Sequence, residues 1–339
     1  MSSSLAVQAH GITKTYPGAK VKALDSFDLE VPSGQVVGLL GPNGSGKTTA
    51  VRILSTTLQP ESGTALVLGH DVVKDPSGVR RSIGLAGQYA TVDENLTGAE
   101  NLEMVGRLCH LPRPSVGPRA IELLGQFGLS DAGGQPVKTY SGGMRRRLGL
   151  AAALGARPPR LFLDEPTTGL DPQSRLALWD VIEALVEGGT TVLLTTQYLE
   201  EADRLASQIV VIDHGKVIAN GTPAGLKADL GATVLELTLG TRDAAIAVGE
   251  MLKDLTNKTP HIDTTMVELT VENGPLIAAE ALRRIDASPY DLLGLSLREP
   301  SLDDVFLALT GQRTDVDKEA LVADQKDGRR SRRAAKESS

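Results

Sequence analysis

Residues 41–48, Gly41-Pro42-Asn43-Gly44-Ser45-Gly46-Lys47-Thr48, fit the pattern G-x-x-x-x-G-K-[ST] and constrain this chain more than any other feature. They follow residues 35–40 (QVVGLL), an apolar run that reads as a strand buried on both faces, and precede TTAVRILSTTL, which reads as a helix. A strand, a glycine-rich turn and a helix in that order aim backbone N–H groups and the positive helix end at one point. Such a cradle suits the dense negative charge of a polyphosphate. Gly41, Gly44 and Gly46 leave the backbone room to close around the anion. Lys47 reaches the β- and γ-phosphate oxygens as a point charge, the Thr48 hydroxyl ligates Mg²⁺, and Thr49 adds a contact.

The 339 residues suggest about two domains at the usual ~150 residues each. From Leu5 to about Leu226 short apolar runs alternate with helical patterns, as in strands and helices wound around a largely parallel sheet. Residues 161–163 and 191–194 read as further central strands. Between Gln88 and Arg157 apolar residues recur at helical spacing (Leu102, Val105, Leu108; Ile121, Leu124, Phe127) and Pro112, Pro114 and Pro118 break the run, which predicts a helical insertion. After Lys227, strand patterns at 234–239, 266–271 and 292–297 alternate with helical patterns at 243–255, 276–285 and 302–309. These predict a small α+β domain. The expected division is a nucleotide-binding domain over 1–228, with its helical subdomain at about 88–157, an α+β domain over 229–312, and a disordered basic tail over 313–339.

A phosphate cradle alone serves kinases, GTPases and motors. Residues 161–166 (LFLDEP) narrow the choice, since an apolar strand delivers Asp164 to the cradle's edge of the sheet, where it holds Mg²⁺ through water. Glu165 follows, and a carboxylate there polarises an attacking water as a general base. Residues 140–144 (YSGGM) lead into Arg145-Arg146-Arg147 and a helical pattern, so Ser141, Gly142 and Gly143 sit at a helix start as a second anion site.

At this point the chain resembles the ABC-type ATPases, whose signature motif is usually LSGGQ. The departures are Tyr140 for Leu and Met144 for Gln, and neither removes the Ser-Gly-Gly. The resemblance implies further roles. Gln88 stands where the family's Q-loop glutamine touches Mg²⁺, Asp171 in GLDP where its D-loop faces the opposite subunit, and Tyr16 in KTYPG where an aromatic stacks on adenine. Gln197, in TTQYLEEAD, replaces the usual switch histidine; its amide donates a hydrogen bond to a γ-phosphate oxygen but carries no proton, so its role is sensing and positioning. A glutamine here, together with the closing PSLDDVFLALTG, resembles the daunorubicin-resistance type of exporter ATPase. The implied fold is a P-loop ABC ATPase core of α/β class with a helical subdomain, followed by a small α+β C-terminal domain.

The resemblance also implies partners. Each active site in the family lies between one subunit's cradle and another's signature, and this chain has one copy of each. A homodimer clasping ATP and Mg²⁺ is expected, driving a separate membrane permease that exports amphiphilic drugs, antibiotics or lipids and docks around residues 89–108. The longest apolar stretch, residues 148–156, is far below the ~18 needed to span a bilayer, and no secretory signal opens the chain. With the single cysteine, Cys109, this fits a peripheral protein on the cytoplasmic face of the membrane. A net charge of −7 argues against nucleic acid as a partner. A soluble ABC ATPase and a regulatory ATP-binding module without turnover stay open as alternatives. Cys109 and Trp179 read as core residues, and His214 as part of a hairpin turn.

Overall fold

The computed structural model describes residues 5–87, 92–155, 157–230 and 233–310. Gln88, Tyr89 and the basic tail at 313–339 lie outside the described residues.

Two strand patterns build the N-terminal part. Its elements are β1 (Leu5–Lys14), β2 (Leu24–Pro32), β3 (Val36–Leu40), α1 (Lys47–Leu54), β4 (Ser62–Val67), β5 (His70–Asp71), α2 (Pro76–Ser82), β6 (Ile83–Ala86), α3 (Gly98–Leu108), α4 (Arg113–Gln126), α5 (Gly142–Ala153), β7 (Arg160–Asp164), α6 (Pro172–Glu187), β8 (Thr191–Thr196), α7 (Leu199–Leu205), β9 (Gln208–Asp213) and β10 (Lys216–Gly221). Every residue of β3 and β8 is buried, as expected of strands covered on both faces. They lie inside a six-stranded sheet of order β10-β9-β3-β8-β7-β6, parallel except where β10 pairs with β9 through the His214-Gly215 hairpin turn.

Strand β2 alternates instead, burying Leu24, Phe27, Leu29 and Val31 and exposing the residues between Phe27 and Val31 that face away. It belongs to a second, antiparallel sheet of order β2-β1-β4-β5, which the reading of one largely parallel sheet did not separate. Val51, Ile53 and Leu54 of α1 share one core with Phe27 and Leu29 of the antiparallel sheet and with Leu39, Phe162 and Leu193 of the parallel one.

Helices α3 to α5 are inserted between the neighbouring parallel strands β6 and β7. A capping box starts α3, in which Thr97 Oγ1 accepts from the Glu100 N–H and the Glu100 carboxylate accepts from the Thr97 N–H. Two expectations change here. Pro118 lies inside α4 and does not break it; only one helical N–H is missing, in the second turn. The helical stripe is also only partly a core face, since Leu102, Leu124 and Phe127 are buried but Leu108 and Ile121 are exposed. Cys109 is exposed at the C-cap of α3, where helix packing has ended, whereas Trp179 is buried as expected.

The chain divides into two compact units between Thr222 and Pro223. The second contains α8 (Pro223–Ala228), β11 (Thr233–Leu239), α9 (Arg242–Met251), β12 (His261–Asp263), β13 (Met266–Val271), α10 (Gly274–Asp286), β14 (Leu292–Arg298) and α11 (Leu302–Thr310). Its antiparallel sheet has the order β12-β13-β11-β14. Leu235, Leu237 and Leu239 pack with Val267 and Leu269 against Ala245 and Val248 of α9 and Ala278, Ala281 and Ile285 of α10. Strand β12, only three residues long, carries no periodicity from which a sequence reading finds it. On the sheet's other face Glu236 and Glu268 pair directly across β11 and β13, and Arg298 bridges both to Asp304 of α11. None of the described helices is long and apolar enough to cross a membrane.

Candidate active site

Parallel pairing sets the level of the chemistry. Leu40 of β3 pairs with Thr196 of β8, and Asp164 of β7 pairs with Thr195, so three strands end together at one edge of the sheet. The glycine-rich loop follows β3, Glu165 follows β7 and Gln197 follows β8. Ligands of open parallel sheets bind at such carboxyl ends.

The loop between β3 and α1 is closed on itself. Lys47 is 4% exposed, and its Nζ donates to the carbonyls of Gly41 (2.8 Å) and Pro42 (3.0 Å). Gly46 enters α1 at φ 115°, in the left-handed region, and a Cβ there would stand 2.4 Å from the Ala23 carbonyl oxygen. Ser45 Oγ is buried with no partner, an unmet hydroxyl inside the loop itself. A cleft of about 450 Å³ opens over the loop, lined by Tyr16, Asn43, Gly44, Lys47, Thr48 and Glu165 among others. Tyr16 reaches it from the end of β1, its hydroxyl 3.3 Å from Thr49 Oγ1.

Thr48 Oγ1 donates to Asp164 Oδ1 at 3.3 Å. A hydroxyl and a carboxylate converging at the mouth of a phosphate cradle form the hard-oxygen donor set that suits Mg²⁺. The same Asp164 oxygen accepts from Thr195 Oγ1 at 2.6 Å, and the Glu165 N–H donates to Thr195 Oγ1 and to its carbonyl, both at 3.1 Å. Glu165 has φ 51°, a left-handed conformation that costs a non-glycine residue about 1–3 kcal/mol. Its Oε1 lies 3.4 Å from Lys47 Nζ, and its Oε2 accepts from Thr168 Oγ1 at 3.4 Å.

Ser141, Gly142 and Gly143 open α5. Ser141 Oγ accepts from the Met144 N–H at 3.2 Å as the N-cap. Ser141 and Gly142 are exposed, while Gly143 is buried so close to α6 that a Cβ would stand 2.5 Å from Ser174 Oγ. Asp171 caps α6 through Ser174 N and Oγ at 2.9 and 2.7 Å. Tyr140, the departure from leucine, is buried and its hydroxyl donates to the Ala132 carbonyl at 2.7 Å. The cleft of one chain thus gathers the loop, Tyr16 and Glu165, with Asp164 behind Thr48; Ser141, Gly142, Gly143 and Asp171 do not line it. Gln197 follows β8, and its Oε1 is buried with no partner.

Three residues were missed by sequence reading. Thr195 joins Asp164 to Glu165, as described. Arg146, inside the arginine run, is buried and donates to backbone carbonyls around Glu165. Glu201 is fully buried beneath the switch segment, where Trp179 Nε1 donates to its Oε1 at 3.0 Å. Burial pushes its carboxyl above the usual range against the pull of its hydrogen bonds. The signal for all three is spatial, because their partners lie tens of residues away.

A parallel sheet with a phosphate loop, paired carboxylates at a neighbouring strand end and a helical insertion ending in Ser-Gly-Gly defines an ATP-binding cassette. The family model described as ABC transporter matches residues 24–168. The daunorubicin/doxorubicin resistance ATP-binding protein DrrA of Streptomyces peucetius is 50% identical over 311 residues, covering 91% of this chain and 94% of its own. The doxorubicin resistance ATP-binding protein DrrA of Mycobacterium tuberculosis is 46% identical over 318 residues, covering 93% and 96%. A solved dimeric ATP-binding cassette, in a post-hydrolysis state bound to ADP and Pi, superposes with a TM-score of 0.59 at 26% identity, over 64% of this chain and 98% of its own. The chain belongs to the ABC transporter family of ATPases, in the branch of drug-resistance ATP-binding proteins.

Proposed function

We propose that this chain is the ATP-hydrolysing subunit of an exporter, in which two copies clasp ATP between them and drive a separate membrane permease. The observation that carries this reading is the split within one chain. The cradle and Glu165 face a common cleft, while Ser141 and Gly142 stand exposed at the start of another helix, outside it. An exposed anion site with no cleft of its own is complementary to the phosphate end of a nucleotide held by a second copy.

The residues divide the work. Backbone N–H groups from Asn43 to Thr49 and the Lys47 ammonium hold the phosphates, and Tyr16 holds the adenine. Thr48 and Asp164 would hold Mg²⁺, with Gln88 as a further ligand, and bound there the ion would supply positive charge against the developing phosphate charge. Glu165 takes a proton from the attacking water, and its left-handed backbone keeps the carboxylate over the loop. The Gln197 amide senses the γ-phosphate without taking its proton. Ser141 to Gly143 and Asp171 complete the partner copy's site.

The cargo is an amphiphilic drug, antibiotic or lipid, a reading supported by the daunorubicin and doxorubicin resistance in the relatives' names. The nucleotide-binding domain, with its helical subdomain, carries the ATPase and the permease contact. The chain sits on the cytoplasmic face of the membrane, held there by the permease. Co-purification with neighbouring membrane proteins, followed by ATPase assays with and without candidate drugs, tests the reading. A bound permease and drug-dependent turnover support it; turnover indifferent to every membrane partner refutes it.

A further inference from the structure

The run Arg145-Arg146-Arg147 has the composition of a solvated basic patch, but its three side chains leave α5 in different directions. Arg145 turns back to the Tyr140 carbonyl and to Glu94, and Arg147 donates to the Phe127 carbonyl at 3.0 Å. Arg146 goes inward and is 8% exposed. Its Nε donates to the Pro166 carbonyl at 2.6 Å and one Nη to the Gly87 carbonyl at 2.8 Å. The other Nη donates to the Glu165 carbonyl at 2.5 Å and lies 3.4 Å from that of Asp164.

One planar fork therefore holds three consecutive carbonyls at the end of β7 and one more at the end of β6. Glu165 is the middle of the three, and it is the residue with φ 51°. Its N–H is fixed from the opposite side by Thr195. A strained residue persists when its surroundings over-determine it, and here both of its peptide groups are pinned. A lysine cannot replace this arrangement, because a point ammonium does not reach carbonyls spread around a guanidinium plane.

We propose that Arg146 is a positioning residue for hydrolysis. It holds the Glu165 backbone in the conformation that puts the carboxylate over the cradle, and it fastens that strand end to the helix opened by Ser141 to Gly143. The proposal rests on the reading of Glu165 as general base. Arg146 sits on α5, apart from the β3–α1 loop and Tyr16 that would hold the nucleotide, so its loss acts on turnover and spares binding.

The test compares wild type, Arg146→Lys, Glu165→Gln and the double variant as full chains, by steady-state phosphate release, affinity for a fluorescent ATP analogue, and thermal melting. Arg146→Lys is expected to lower kcat by about ten- to a hundredfold, since a misplacement near 1 Å costs that much, with KM and analogue affinity within about threefold of wild type. In the Glu165→Gln background the same substitution is expected to change the residual rate by less than about twofold, because both act on one group. Arg146→Gln, which keeps amide donors without charge, is read in the same way if the lysine variant does not fold. A folded Arg146→Lys with wild-type kcat beside an inactive Glu165→Gln overturns the proposal alone, as do multiplicative losses in the double variant. Wild-type turnover in Glu165→Gln overturns the general-base reading and the proposal together.

Discussion

Thr195 Oγ1 donates to Asp164 Oδ1 at 2.6 Å while accepting the N–H of Glu165, so a single buried hydroxyl sets both carboxylate residues at the end of β7. Thr195→Val keeps the shape and removes the hydroxyl. A hydrogen bond to a charged group contributes about 1.5–3 kcal/mol, so the variant is expected to melt earlier and to lose about tenfold or more in kcat. Melting curves and phosphate release check both. Unchanged turnover would show that the hydroxyl does not organise the site.

Removing the general base has a larger effect. Glu165→Gln keeps the backbone contacts to Thr195 and Arg146 but cannot take a proton. Phosphate release is expected to fall by about 10² to 10⁴, the usual range for a positioned base, with ATP affinity retained. Rates indistinguishable from wild type would remove Glu165 from catalysis and return the regulatory-module reading.

Lys47 is nearly buried, and its ammonium is held by carbonyls of its own loop. Lys47→Ala is expected to weaken binding of a fluorescent ATP analogue by about tenfold or more, the order of one charge-assisted contact of about 1.5–3 kcal/mol. Titration by fluorescence anisotropy measures this directly. Equal affinity would place the phosphates elsewhere.

Glu201 makes stability depend on pH in a definite direction. Its carboxyl is raised by burial above the unfolded value, so the folded chain binds a proton more tightly than the unfolded chain does. Stability is therefore lost as pH rises from the ordinary carboxylate range through the raised value. Glu201→Gln keeps an acceptor for Trp179 and removes the charge. The variant's melting temperature is expected to exceed that of wild type above neutrality, with the gap closing as pH falls towards 4.5. A gap independent of pH would mean that the folded and unfolded chains bind this proton equally tightly, so that burial does not raise the carboxyl.

Much of this was legible in the chain. The phosphate loop after β3 and the Asp164-Glu165 pair ending β7 are each contiguous patterns, and parallel pairing of β3 and β7 with β8 brings the two to one sheet edge. Arg146 was not legible, because its partners Gly87 and Pro166 are 59 and 20 residues away and only folding decides which arginine of three turns inward. Glu201 reads as one of several acids at a polar helix start, and it is burial under Trp179 that singles it out. Leu108 and Ile121 fit a helical stripe, yet the stripe is wider than the face that packs.

The central claim is that two copies jointly hold one nucleotide. Light scattering on size-exclusion chromatography of Glu165→Gln, with and without ATP and Mg²⁺, measures it most directly. The account predicts a species of twice 35.7 kDa that forms only with nucleotide and is lost in Ser141→Arg, which blocks the second half of the site. A mass that stays at that of one chain under saturating ATP, alone and with the membrane partner, would contradict it.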